Sequence, residues 1–548
     1  MKYLILKETP TEKLNRHWEF GIGAAASNPK AAVRTDFLEQ LKFVRDEIGA
    51  AYIRLGGTFN DNRTQTVFSL ADMYDIPNAK KFITRTFRQC GEAYDNILRA
   101  GVKPFIILGA IPKALAFKGA LPNMFGSYAC TPESYEEWYE YITDFLAFLY
   151  QRYGKEEVRT WYFEFWNEPD LPIPFFSGTQ EDYFYFYEIT ARAVKAFDSE
   201  IKLGGPTTSN SKWIGTFVKY CREHDVPLDF TSTHQYAGDP LGGVEGTTEE
   251  EDVMRMKEIK TEAERQQEAK LIVEEQRKKT NQLLEDVPAG SALAGFRAWM
   301  GDPSETEDSI KNLFSHNAEV AGQQSEGLPL YYTEWNINAF NTSYTNDTRK
   351  VAAYAIKNAL AIEKNVTGSM FFFLTDLYSE KDLFPEEFCG CYGLLTKSGI
   401  PKPGFYAFKM LRQVGDERLV LKNEDETDMI LNDTGIAALR KEKDVQIVLT
   451  RQRMKNDELP GEITEIVVEM EKNPSSVTIQ RIDETHCNPL AMWEQMGSPM
   501  VPNSAEVEEI KRKTALVEEP FSYIYQDGQV RLTTELKVND VALIKIYA

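Results

Sequence analysis

From Trp18 onward the chain switches repeatedly between two hydrophobic periods. WEFGIG (18–23) is a β-prone run, after which Val33, Phe37, Leu41, Val44 and Ile48 recur at helical spacing and stop at Gly49. The same change recurs down the chain. Strands are predicted at 50–57, 103–110, 162–166, 202–206, 229–236, 328–336 and 368–376. Helices are predicted between them at about 80–99, 131–154, 182–197, 212–224 and 349–364, and a last one at 401–413. Thr131 and Pro132 read as N-cap and first helical residue of the second of these. Eight strands alternating with helices predict a closed parallel (β/α)8 TIM barrel of the α/β class, with its active site at the C-terminal ends of the strands.

Two regions depart from that rhythm. Residues 242–327, between strands six and seven, are too long for an ordinary connection. Within them 249–286 is dense in Glu, Lys, Arg and Gln, with Val253, Met256, Ile259 and Ala263 as a thin apolar stripe. This helical insertion is read as a decoration, or as a lid or subunit contact that would make the protein a homo-oligomer. After Gly415 the pattern changes to short β-prone pieces at 445–451, 462–470, 476–483 and 541–548. These predict a β-sandwich over 415–548, joined by an N-terminal strand in residues 1–16, with the barrel at 17–414. The sandwich is expected to pack against the barrel rather than bind sugar.

The strand ends carry the candidate chemistry. Tyr162, Phe163, Phe165 and Trp166 form an apolar run that ends on Asn167 and Glu168 and is cut by Pro169. Burial disfavours the charged form of a carboxyl group, which is what a general acid near neutral pH requires. Tyr331-Tyr332-Thr333-Glu334-Trp335-Asn336 repeats the motif on strand seven. Two carboxylates would therefore face each other across the barrel mouth, the arrangement used to hydrolyse glycosides. Arg54, ending strand two, would supply positive charge to Glu334, and Tyr236 could donate a hydrogen bond to it. His234, two residues earlier, joins the same rim.

Composition narrows the partners. With 548 residues the chain exceeds one ordinary domain, and a net charge of −22 excludes nucleic acid and anionic membrane as natural partners. No stretch has the length or apolarity of a signal peptide core or a membrane span, which reads as cytoplasmic. Cys90, Cys130, Cys221, Cys389, Cys391 and Cys487 are too scattered for a disulfide framework, and His17, His224, His234, His316 and His486 show no metal-ligand spacing. No metal and no cofactor are expected.

These motifs, with GGPTTS (204–209), STHQY (232–236), GIPKPGFYAF (399–408) and IDETHCNPLAMWEQMGSP (482–499), resemble glycoside hydrolase family 39, the β-xylosidases and their relatives among the retaining (β/α)8 glycosidases. The resemblance implies Glu168 as acid/base, Glu334 as nucleophile and Asn167 as the partner of the sugar's 2-hydroxyl, with His234 and Tyr236 lining the pocket. It also draws attention to departures. Gly56, Ala110 and Lys113 stand where the family's xylosidases carry His, Phe and Glu, Phe372 replaces a Trp, and Ser379 replaces the first of two acids, leaving Glu380. Phe372 and Glu380 are therefore candidate sugar contacts, and the smaller residues and Lys113 would admit a bulkier or an acidic sugar. The expectation is a retaining exo-acting, β-xylosidase-like glycoside hydrolase acting on short oligosaccharides or glycosides. Its alternatives are a glycosidase for another sugar, such as a β-glucosidase or β-galactosidase, and a non-hydrolytic sugar-binding barrel.

Overall fold

Eight parallel strands close on themselves in sequence order: β1 (Gly21–Gly23), β2 (Tyr52–Leu55), β3 (Lys103–Leu108), β4 (Tyr162–Phe165), β5 (Lys202–Thr208), β6 (Phe230–Gly238), β7 (Leu330–Asn338) and β8 (Gly368–Phe371), with β8 pairing back to β1. The computed structural model describes the chain apart from residues 1, 7–11, 25–28, 62–63, 70–82, 118–119, 121, 124–125, 172–174, 340–341, 378–383, 423–428 and 456–457, and all of 239–309 except 278, 282 and 290. Among the described residues a helix of more than two turns follows each strand: α1 (Thr35–Ile48), α2 (Arg88–Arg99), α3 (Tyr135–Tyr153), α4 (Gln180–Phe197), α5 (Ile214–Glu223), α6 (Leu313–Gln324), α7 (Arg349–Ala361) and α8 (Pro403–Gln413). In α1 the predicted apolar stripe is the buried face, and Gly49 ends it with φ 86°, its N–H on the Arg45 carbonyl.

The barrel is filled in layers. Phe20, Tyr52, Phe105, Tyr162, Phe230, Tyr331 and Met370 cluster as its floor. Each fully buried side chain of this kind contributes about 1.5–3 kcal/mol of transfer free energy. Successive strand residues point to opposite faces, so two residues above a floor ring the lumen receives Arg54 on β2, Glu164 on β4 and Ser232 on β6. On β6 the same period carries on to His234 and Tyr236. On β7 it is broken: the register against β6 shifts at Thr233/His234, and against β8 between Tyr332 and Trp335. That bulge lets Thr333 and Glu334, adjacent in sequence, both turn inward, while Trp335 packs outward on Phe314, Phe371 and Phe408.

Two further sheets stack face to face. Lys2–Leu6 runs parallel to Glu462–Glu469 and antiparallel to Val420–Lys422, in a sheet completed by Gln529–Leu536 and Ile524–Gln526. The second sheet contains Ser476–Ile482, Val541–Tyr547, Asp444–Thr450 and Gly435–Lys441. Tyr3, Ile5, Ile466 and Val530 of the first meet Ile447, Ile479 and Ile544 of the second in one core. The N-terminal strand thus joins the C-terminal sandwich, as its apolar run suggests.

Local expectations fail where partners from elsewhere compete. The stretch from Lys80 does not open a helix at its described residues: Ile83–Arg85 pairs with Val67–Ser69, and α2 starts only at Arg88. Thr131 and Pro132 do not cap α3, because they bridge back to Phe117 and Ala116; Ser134 caps it instead, accepting from the Glu137 N–H. Val33 precedes α1 and is exposed. The insertion's C-terminal part is not decoration but α6, the barrel's own sixth helix; of the expected helix at 249–286 only Lys278 and Gln282 are described, both helical, and Glu380 lies outside the described residues. IDETHCNPLAMWEQMGSP, which runs on from the strand Ser476–Ile482, holds a short helix at Pro489–Gln495, followed by another at Ser504–Lys513.

Candidate active site

The C-terminal ends of β2, β4, β6 and β7 bring Arg54, Asn167, Glu168, His234, Tyr236 and Glu334 together. Arg54 is the hub. Its Nη1 donates to Glu334 Oε1 at 2.5 Å, its Nη2 to Asn167 Oδ1 at 2.9 Å, and its Nε to Glu164 Oε2 at 2.6 Å. The Tyr236 hydroxyl donates to the other Glu334 oxygen at 2.7 Å. His234 Nδ1 lies 2.9 Å from Glu168 Oε1 and 3.7 Å from Glu334 Oε2, so one imidazole edge faces both carboxyl groups. One atom from each of Glu168, His234 and Glu334 can be chosen so that all three fall within 4.8 Å of one another. Phe372, at the end of β8, meets the Tyr236 ring edge-on at 6.2 Å and extends the same wall.

Backbone geometry aims the acid. Glu168 sits at φ 49° and Trp166 at φ 72°, both in the left-handed region that non-glycine residues rarely adopt. Thr207 at φ 61° faces them, and the Glu168 N–H donates to its carbonyl at 2.8 Å. Strain of this kind persists where surrounding structure over-determines it, and here it clusters at the strand tips. Trp166 is held in turn by its indole N–H on the Phe175 carbonyl.

Electrostatics follow from burial. Arg54 is 1% exposed, which by itself would lower its pKa, but the Glu164 and Glu334 carboxylates outweigh that and hold it above its ordinary value. Burial and the neighbouring Glu334 charge push the Tyr236 phenol well above its usual range, so it remains a donor.

Two acids at this site escape a reading of strand ends. Glu164 lies inside β4, and its signal was a lone charge within YFEF. Asp170, two residues past Glu168, is buried and accepts from the Ser209 N–H at 2.8 Å and the Ser209 hydroxyl at 2.6 Å. Burial raises its carboxyl from 3.8 to about 7; the Ser209 hydrogen bonds and Lys212 oppose the rise, and Glu168 adds to it. Between those two values the folded chain holds a proton that the unfolded chain has lost, so stability falls as pH rises through the window. Asp170→Asn can keep one acceptor for the Ser209 N–H and removes the titration. Urea denaturation from acid to neutral pH is expected to show a flatter stability profile for this variant, and an unchanged slope would refute the assignment.

Glu168, His234 and Glu334 also offer three ligand atoms to a cation. They suit one poorly: Arg54 and Tyr236 already occupy the two Glu334 oxygens, and the ion would lie beside a buried guanidinium. The donor set fits proton transfer and nucleophilic attack better.

The chain is similar to known proteins along most of its length. The model of glycosyl hydrolases family 39 matches residues 1–283 and 301–530. A beta-xylosidase of Caldicellulosiruptor saccharolyticus is 30% identical over 536 residues, spanning 97% of this chain and 96% of that protein. One of Geobacillus stearothermophilus is 27% identical over 552 residues, spanning 100% and 95%. In fold, the chain is similar to the crystal structure of a monomeric beta-xylosidase from Caulobacter crescentus CB15, with a TM-score of 0.73 at 23% identity, covering 100% of this chain and 99% of that one. A family match over most of the chain, with near-complete coverage of relatives that share its length, establishes that this protein is a glycosidase and belongs to glycosyl hydrolase family 39.

Proposed function

We propose that the protein is a retaining, exo-acting, β-xylosidase-like hydrolase in which Glu334 is the nucleophile and Glu168 the acid/base. The observation that carries this reading is that one carboxyl oxygen of Glu168 and one of Glu334 lie within 4.8 Å of each other. Retaining glycosidases hold theirs about 5–5.5 Å apart, whereas inverting ones leave about 6.5–9.5 Å for an intervening water. Glu334 attacks the anomeric carbon as the glycosidic C–O bond breaks, and Glu168 passes its proton to the departing oxygen. Water then attacks the same carbon and gives a proton to Glu168, and the ester bond's electron pair returns to Glu334. Arg54 anchors Oδ1 of Asn167, so the Asn167 amide N–H₂ is the group left to donate to the sugar's 2-hydroxyl. His234, Tyr236 and Phe372 form the adjoining wall. The near full-length beta-xylosidase relatives support a xyloside as substrate.

No described helix is long and apolar enough to cross a membrane. A cytoplasmic location with small imported substrates accords with six cysteines that are all thiols.

The stereochemistry tests the mechanism. Proton NMR of an aryl β-xyloside digest is expected to show β-xylose first, converting to the α-anomer by mutarotation; α-xylose as the first product would exclude double displacement. A second reading widens the sugar range. Gly56 and Ala110 leave little side-chain bulk at the ends of β2 and β3, and Lys113 is exposed beside Asp61, which accepts its backbone N–H. A panel of aryl β-glycosides is expected to include a glucoside, galactoside or uronide hydrolysed at a rate comparable to the xyloside, and a response to the xyloside alone would overturn that extension.

A further inference from the structure

Arg54 has one positive charge and two carboxylate partners. Glu334 takes Nη1 and Glu164 takes Nε, at 2.5 and 2.6 Å. Glu164 is fully buried, and its second oxygen accepts from the Thr333 hydroxyl at 2.7 Å, so both of its oxygens are engaged below the site. It contacts neither Glu168 nor His234 among its hydrogen bonds, and it lies one layer nearer the floor than the reacting carboxylates. A proton-transfer role has no path there.

The arrangement makes sense when the charge is followed through the reaction proposed above, on which this inference rests. In the resting site Arg54, Glu164 and Glu334 together carry one net negative charge. Once Glu334 is esterified to the sugar its charge is gone. Without a second carboxylate, Arg54 would then be a guanidinium buried in the barrel with no carboxylate bound to it, a state that is strongly unfavourable. We propose that Glu164 is the standing counter-ion of Arg54, a positioning residue that keeps the cation balanced and oriented while Glu334 is covalently occupied and so stabilises the glycosyl-enzyme intermediate. Glu334 then shares Arg54's charge rather than receiving all of it. Its lone pair stays available for attack, and Asn167 stays fixed through Nη2 in both halves of the cycle.

The consequence is an opposed effect on the two steps. Glu164→Gln keeps the shape and can still accept from Nε, but it removes the charge. Formation of the intermediate should slow, because the nucleophile faces an undivided cation and the product ester leaves that cation unpaired. Breakdown should accelerate, because it restores a negative charge to Arg54. A disturbed core would slow both steps.

The probe is a 2-deoxy-2-fluoro-β-xylosyl fluoride, which forms the intermediate and stalls its hydrolysis. In the wild-type protein, peptide mapping should place the label on Glu334. In Glu164→Gln, labelling is expected to be slower and reactivation of the isolated adduct faster, each on the order of tenfold or more. Glu164→Asp, which keeps the charge, should leave both rates within a few-fold of wild type, and it decides the matter if the Gln variant does not fold. Label on a residue other than Glu334 removes the nucleophile assignment and this inference together. Label on Glu334 with the two rates of Glu164→Gln unchanged or falling together, or with opposed shifts in the Asp variant, removes this inference alone.

Discussion

Glu334→Gln is expected to lower kcat/KM by on the order of 10⁴-fold or more while leaving the protein folded and able to bind sugar. Removal of a covalent nucleophile has effects of this size in enzymes whose catalytic groups act as a unit. The fold should tolerate the change for reasons visible in the site. The Gln carbonyl can still accept from Arg54 Nη1, its amide can meet the Tyr236 hydroxyl, and Arg54 keeps its other carboxylate in Glu164. Steady-state kinetics on an activated aryl glycoside, with calorimetric binding of the product sugar, would separate the two quantities. A fall of less than about a hundredfold would mean that Glu334 does not carry the covalent step. Binding with no residual turnover in the variant, set against efficient turnover in the parent, also disposes of a sugar-binding barrel without catalysis. The stereochemical extension uses Glu334→Ala with azide. The small anion enters the vacated space, attacks the anomeric carbon once, and should yield the α-glycosyl azide.

Glu168 and Glu334 could be placed at the barrel mouth because each follows an apolar, aromatic run and a barrel gathers strand ends at one rim, although β7 continues past Glu334 to Asn338 and Glu168 lies beyond the end of β4. Arg54 and Tyr236 followed from the same rule. What the chain does not announce is register. Thr333 and Glu334 both face the lumen only because β7 slips against its neighbours, and no periodicity within YYTEWN reveals a slip that is defined by pairing with β6 and β8. Glu164 interrupts the apolar run of β4 between Phe163 and Phe165, and only the closed barrel shows that alternate members of that run divide between the helices and the lumen. Asp170 is buried through Ser209, a residue of the turn after β5, so its environment belongs to the tertiary fold and not to its own segment. In the sandwich, the helices Pro489–Gln495 and Ser504–Lys513 carry capping signals at Asn488-Pro489 and at Asn503 with Glu506, in a stretch for which no element was predicted.

Glu168→Ala should behave differently from any nucleophile variant, and the difference assigns the roles. The acid is needed in proportion to how badly the departing oxygen needs a proton. Oligosaccharides and alkyl glycosides are therefore expected to lose roughly 10²–10⁴-fold in kcat/KM, the usual contribution of a positioned general acid. A dinitrophenyl glycoside, whose leaving group departs as a stable anion, should lose far less in the first step. Its second step still needs Glu168 as base, so the glycosyl-enzyme should accumulate, giving a burst of phenolate and a depressed KM. Azide requires no deprotonation and should restore turnover by attacking the intermediate from the face Glu168 has vacated. The product is then the β-glycosyl azide, formed after two inversions, where the Glu334 variant gives the α-compound after one. His234, placed 2.9 Å from Glu168 and 3.7 Å from Glu334, sits too evenly between the two for proximity to decide which carboxyl group does what. The anomeric configuration of the two azides does decide it: an exchange of the products between the variants would exchange the assignments, and the same configuration from both would remove double displacement from this site.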